Sequence, residues 1–172
     1  MLFIGFVALF ASVYYAVMSL TEGMGRKRAE YSAISALLLH IRAGLSSGGG
    51  RLCDILRTFK SKPLEENGLL AVLAADVVKN ENGEIGKASG GFFRDNLYRI
   101  RFLIDETDAK KLLSYLEGYG KSYIEEEKKK LSEITCYFSE REKSFSEKSE
   151  KDTKAIWTVF VFLFVGAFIL LI

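Results

Sequence analysis

Apolar residues follow two different patterns along this chain. At both ends they run together on every side, whereas between the ends they recur at helical spacing among charged positions. "AIWTVFVFLFVGAFILLI" occupies residues 155–172, eighteen residues without a charged side chain. At about 1.5 Å of rise per residue, a helix of that length covers roughly 27 Å, close to the hydrocarbon thickness of a bilayer. A strand this long would be abnormal, and a core helix would keep a polar face, so the run predicts a transmembrane helix. Trp157 and the lysines 148, 151 and 154 stand where an interfacial anchor and a polar flank belong.

Residues 1–20, "MLFIGFVALFASVYYAVMSL", repeat the pattern and lead into Thr21, Glu22 and then Arg26, Lys27 and Arg28. A cleaved signal peptide is the alternative here. It calls for basic residues ahead of the apolar run and a small-x-small site behind it. The chain has no basic residue before Arg26, and "SLTEGMG" is a poor cleavage site, so a retained span is favoured. Residues 21–154 therefore hold every charged side chain in the protein. Lys and Arg accumulate on the cytoplasmic side of spans, and here they flank both apolar runs from the inside. The expected fold is all-α: a cytoplasmic helical bundle between an N-terminal and a C-terminal transmembrane helix, with both termini external.

Within the polar stretch, Ile34, Leu37, Leu38, Ile41 and Leu45 share one face of an amphipathic helix that ends at "SSGGG", residues 46–50. Leu52, Ile55, Leu56 and Phe59 mark a short second helix. Pro63 suits a helix start, and "GLLAVLAADVV" is apolar enough for a helix buried on most sides. "KNENGEIGKASGG" (79–91) reads as the longest loop, with a turn at Asn82-Gly83. "NLYRIRFLID" is ambiguous: it alternates partly, as a strand would, yet Phe93, Leu97, Ile100 and Ile104 are spaced by four, three and four. With no second strand to pair with, helix is the expectation. Asp105-Glu106-Thr107-Asp108 offers a cap for a helix whose face carries Leu112, Leu113 and Leu116.

The last polar segment is the most regular. Ile124, Leu131, Phe138 and Phe145 are each seven apart, with Ile134 between them. Glu126–Lys130, Glu150–Lys154, Glu125–Lys129 and Glu147–Lys151 stand at i,i+4 in the favourable order. One unbroken helix is expected from about Ser122 into the terminal span. Its narrow stripe either packs against the domain's own helices or forms a coiled-coil seam for self-association. In the first span Gly5, Ala8, Ser12, Ala16 and Ser19 line one face, and the terminal span carries Gly166 and Ala167. Small residues let helix backbones approach closely in lipid. The expectation is that the spans pack into a hairpin near Gly5–Ala8 and Gly166; the alternative is a stripe that serves a partner's spans.

Composition narrows the chemistry. The net charge is +2, and the "KKK" at 128–130 is neutralised by "EEE" at 125–127, so nucleic-acid binding is not indicated. Cys53 and Cys136 suggest reduced core thiols rather than a disulfide framework. A single histidine, His40, rules out a two-histidine zinc site, and it reads as a residue at a helix boundary. "GYGKS" (118–122) matches the end of a phosphate-binding P-loop, but the glycine required five residues earlier is replaced by Tyr115. Gly118 and Gly120 read instead as a break between helices. No catalytic residue, metal ligand or cofactor site emerges, and neither span carries the ionisable groups that a membrane enzyme or transporter would need.

The layout, with "RKRAEYSAISALLLHIRAGLSSGGGRLCDIL" and "DETDAKKLLSYLEGYGKSYIEEEKKKLSEI" as its carrying segments, resembles the stage III sporulation protein AB family of endospore-forming bacteria. The second segment is similar to that family's leucine-rich helix, glycine turn and charged helix, with residues 119–122 at the turn. The resemblance implies a non-catalytic membrane platform in the secretion-like complex between mother cell and forespore. That family is itself similar to the inner-membrane platform proteins of type II secretion and type IV pilus systems. The implied partners are the membrane, a sporulation ATPase like stage III sporulation protein AA and other components of the complex, with the soluble domain on the mother-cell side. A stand-alone membrane-anchored helical scaffold that forms homo-oligomers is the other reading the residues allow.

Overall fold

A computed structural model describes residues 2–46, 52–79, 96–119 and 123–171. All regular elements among them are helical: α1 (Leu2–Ser46), α2 (Leu52–Thr58), α3 (Lys62–Glu66), α4 (Leu69–Lys79), a 3₁₀ turn at Leu97–Arg99, α5 (Glu106–Gly118) and α6 (Ile124–Leu171). The chain divides into two compact units, Met1–Arg28 with Lys143–Ile172, and Ala29–Glu142. Helices α1 and α6 each supply residues to both. The expected glycine break at 47–50, the Asn82-Gly83 turn, Phe93 and Gly120 lie outside the described residues.

The first unit is an antiparallel pair built from the ends of α1 and α6. Both helices are long and apolar enough to cross a membrane. Their contact is aromatic. The Phe10 and Phe164 rings meet edge to face at 5.0 Å, and Tyr14 lies 6.1 Å from Trp157 and 6.0 Å from Phe160. Such ring pairs are worth about 0.5–1.5 kcal/mol each beyond the area they bury. Further along, the Lys27 ammonium sits 5.2 Å from the centre of the Phe145 ring. Side-chain hydroxyls on α1 are bonded within the helix: Ser12 donates to the Ala8 carbonyl and Thr21 to that of Met18, each at 2.9 Å.

The hairpin therefore closes through a different face from the one its small residues suggested. A Cβ added at Gly5 or Gly166 would meet nothing within 4 Å, and Ala8, Ser12 and Ala16 are exposed. At about 100° per residue, Phe10 and Tyr14 project from the side of α1 opposite Ala8, Ser12 and Ala16. Ring-on-ring packing occupies the seam, and the small stripe faces away.

The second unit is organised around α1, whose Ile34, Leu37, Leu38 and Ile41 are buried as their spacing predicts. Leu45 is only half-buried. Ile55 and Leu56 of α2, Leu64, Leu69, Val72 and Leu73 of α3 and α4, and Leu112 and Leu116 of α5 complete the core with Leu131, Ile134 and Phe138 of α6. Helix α4 is amphipathic rather than buried on most sides, since Ala71, Ala74 and Ala75 are exposed. His40 Nε2 lies 3.0 Å from both the Ile55 carbonyl and the Thr58 hydroxyl, so it closes the C-terminal turn of α2. Cys136 is exposed, not a core thiol.

Residues 100–105 depart most from expectation. They form no helix: after the 3₁₀ turn the chain runs without regular structure, bending at Ile104, to the start of α5. The alternation that suggested a strand is real, with Ile100 and Ile104 buried and Arg101 and Leu103 exposed. No second strand is needed, because the backbone donors go elsewhere. The Arg101 N–H donates to the Asn67 carbonyl at 2.9 Å, and the N–H groups of Leu103 and Ile104 donate to a carboxylate oxygen of Glu30 at 2.6 and 3.1 Å. A buried side chain has taken the place of a neighbouring strand.

Candidate functional site

Two acidic residues on apolar helix faces organise the second unit; the sequence pointed to Asp108 only as part of a helix cap and to Glu30 not at all. Glu30 lies one turn before Ile34 on the buried face of α1 and is 1% exposed. One of its oxygens holds the Leu103–Ile104 backbone, and the other accepts from the Asn67 side-chain amide at 2.5 Å. The Asn67 side-chain oxygen, Oδ1, in turn accepts from the Leu69 N–H at the start of α4, 2.9 Å away. Gly68 makes this junction possible. Its φ of +85° is left-handed, and an added Cβ would stand 2.9 Å from the Arg99 carbonyl oxygen.

Asp108, in the first turn of α5, is the second centre and is fully buried. One carboxylate oxygen accepts from the Tyr137 hydroxyl at 2.5 Å. The other accepts from the Tyr31 hydroxyl at 2.5 Å and from Arg141, whose Nε and Nη2 stand at 2.8 and 2.7 Å. Arg141 also reaches Asp105 at 2.8 Å, so Asp105 spends its carboxylate on the guanidinium and makes no side-chain cap to α5. Lys111 lies over the Tyr137 ring at 3.3 Å from its centre. Six polar side chains thereby tie α1, α5 and α6 together.

The electrostatics describe a clamp, not a proton-transfer site. Burial pushes the Asp108 carboxyl up, but the hydroxyls of Tyr137 and Tyr31 and the Arg141 guanidinium outweigh it and leave the group below its ordinary value. Burial, then the Asp108 carboxylate, raises Tyr31; the hydrogen bond to Asp108, then burial, raises Tyr137. Near neutrality the carboxylate stays ionised and both phenols stay protonated. None is poised to exchange a proton there.

Beside the clamp an open cleft of about 350 Å³ lies between α5 and α6. Lys111, Ser114 and Tyr115 of α5 line one wall, and Glu127, Lys130 and Glu133 of α6 line the other. Burial and the nearby Glu127 push the Tyr119 phenol up to about 12. The mixed charge of this cleft suits a polar protein surface better than a single ion.

Of the heptad stripe, Leu131 and Phe138 are buried inside the second unit, with Ile134 between them. Ile124 is 71% exposed, and Phe145 belongs to the other unit, under Lys27. The middle of the stripe packs against the chain's own helices and leaves no continuous seam. Charge pairing along α6 follows the expected order at Glu126–Lys130 and Glu150–Lys154, at 2.8 and 2.7 Å, while Glu125 takes Lys128 instead at 3.0 Å. Projecting charges as well as apolar residues onto the helix faces would have singled out Glu30 and Asp108. Asp108 lies one turn before Leu112, as Glu30 does before Ile34. Comparison with protein-family models, with curated proteins and with solved structures finds no match to this chain.

Proposed function

We propose that the protein is a non-catalytic membrane platform: a cytoplasmic helical unit that docks a sporulation ATPase and is held at the membrane by two spans. The observation that carries this reading is the layout. A helical unit, Ala29–Glu142, is built on two helices whose other ends pair as apolar segments long enough to cross a bilayer. That is the arrangement of the stage III sporulation protein AB family, which the carrying segments resemble. The Asp108 clamp supports it, because its groups are set to hold helices together and not to exchange protons. The complex would be the secretion-like one joining mother cell and forespore, with the helical unit on the mother-cell side.

Affinity capture tests the proposal. Full-length protein in detergent should retain a purified sporulation ATPase of the stage III sporulation protein AA type. Deleting the gene should block sporulation after engulfment and leave vegetative growth unchanged. A growth defect in non-sporulating cells, together with self-association and no ATPase binding, would instead establish the homo-oligomeric scaffold.

A further inference from the structure

The segment that Glu30 fastens has an outer side as well as an inner one. Asn96, Ile100 and Ile104 are buried, whereas Tyr98, Arg99, Arg101 and Leu103 are exposed, Tyr98 by 74% and Leu103 by 52%. Residues 96–104, "NLYRIRFLI", hold two arginines and no acid. Neither guanidinium pairs with a carboxylate among the described residues. The next acid along the chain, Asp105, is spent on Arg141 at 2.8 Å, and at the end of α3 Glu66 is taken by Lys62 at 3.8 Å. Arg99 donates from Nε to the Tyr98 hydroxyl at 3.2 Å and lies 5.7 Å from the centre of that ring, which leaves its terminal nitrogens without a protein partner. The backbone beneath these side chains is held at Arg101 by Asn67 and at Leu103 and Ile104 by Glu30.

We propose that Tyr98, Arg99, Arg101 and Leu103 form a docking surface for an acidic segment of a partner protein. Carboxylates of the partner meet the two guanidinium groups, and an apolar neighbour covers Tyr98 and Leu103. The inference rests on this patch and not on the sporulation reading. Charge selects the partner, because each arginine offers a planar fork that matches a carboxylate and finds none in its own chain. Arginine and tyrosine are also the side chains that dominate protein-binding surfaces. Here they stand on a backbone already fixed by buried groups, so little ordering remains to oppose binding. An anionic lipid surface is the competing occupant. Lipid rewards side chains that sink below the headgroups, and the exposed patch offers Leu103 alone as an aliphatic group.

The probe is a labelled peptide of alternating Glu and Leu, whose carboxylates stand two residues apart as the arginines do, with its Gln–Leu analogue as the reference. Added to full-length protein in detergent and followed by fluorescence anisotropy, the acidic peptide should bind about tenfold more tightly than the analogue, the effect of two exposed ion pairs. Arg99→Gln with Arg101→Gln should abolish that preference. Arg57→Gln with Lys60→Gln, which removes the same charge from exposed positions elsewhere in the unit, should leave it intact. A preference absent from the unaltered protein, or lost in both double variants or in neither, would overturn the surface. An environment-sensitive fluorophore at Leu103→Cys, with Cys53 and Cys136 replaced by Ser, tests the competing occupant. Its emission should be the same in phosphatidylcholine and phosphatidylglycerol nanodiscs, and a blue shift with phosphatidylglycerol alone would assign the patch to lipid and overturn the proposal.

Discussion

Replacing Asp108 with Asn tests whether the buried cluster is an ionic clamp. The amide keeps the shape of the carboxylate and one acceptor oxygen, so Tyr31 and Arg141 retain a partner while the Tyr137 hydroxyl turns to accept from the new NH₂. What is lost is the charge. Hydrogen bonds to a charged group contribute about 1.5–3 kcal/mol against 0.5–1.5 for neutral ones, so two tyrosine bonds lose about 2 kcal/mol together. Arg141 adds little to this loss. It is 38% exposed, still paired with Asp105, and screened by solvent. At about 2–4 °C per kcal/mol for a chain of this size, the melting temperature should fall by about 4–8 °C near neutrality.

The pH dependence is the sharper part of that experiment. A carboxyl held below its ordinary value contributes stability above the usual carboxylate pKa of about 4, and that contribution disappears as pH falls through the lowered value. Tyr31 and Tyr137 are raised, so theirs is present below about pH 10 and is lost as pH climbs through the elevated values. Thermal melts of the full chain in detergent, followed by far-UV circular dichroism, should show a plateau bounded on both sides. Asp108→Asn should lower the plateau and flatten its acid limb, so that the two proteins converge at low pH. An equal drop at every pH, or no drop at all, would refute an ionised Asp108 as the bond between α1, α5 and α6.

Glu30→Ala strands two buried donors and a part-buried one and should cost at least about 2 kcal/mol; the Leu103 and Ile104 amides should lose hydrogen-exchange protection, and unchanged protection would contradict their bonds to Glu30. Gly68→Ala should cost about 1–3 kcal/mol, read from the denaturation midpoint, because φ of +85° and the nearby Arg99 carbonyl both oppose a side chain. Phe138→Ala should cost about 3–5 kcal/mol whereas Ile124→Ala should be close to neutral, and equal effects would mean the stripe is buried along its whole length. The exposed Cys136 tests sidedness: with Cys53 replaced by Ser, a membrane-impermeant thiol reagent should label it only after cells are opened, and labelling of intact cells would place Ala29–Glu142 outside.

The apolar pattern made several elements of this fold legible. Unbroken terminal runs identified the two long apolar helices, and the stripe Ile34–Leu37–Leu38–Ile41 identified the inner face of α1. The favourable charge order and the absence of breakers after Ser122 anticipated that α6 runs without interruption to Leu171. These features share a property. Each is decided by residues within a turn or two of one another, where periodicity and propensity act directly.

The misread elements share the opposite property. Residues 100–105 were expected to be helical because no partner strand was in sight, yet the partner is the Glu30 carboxylate, 73 residues from Leu103. The Asp108 clamp draws Tyr31 from 77 residues away and Arg141 from 33. In the span pair, small residues and aromatic rings mark opposite faces of α1, and either could have met α6. Periodicity can say that a face is buried or special, but not which distant group it meets. A buried acid breaks that symmetry, because it cannot be left unsatisfied and must recruit donors from wherever the fold brings them. Glu30 and Asp108 each sit one turn ahead of a core residue; an acid in the first turn of α5 is locally favoured, but neither the mid-helix Glu30 nor the complete burial of Asp108 has a local reason. Such a position calls for long-range partners, and at both of them the fold turned out to be fastened.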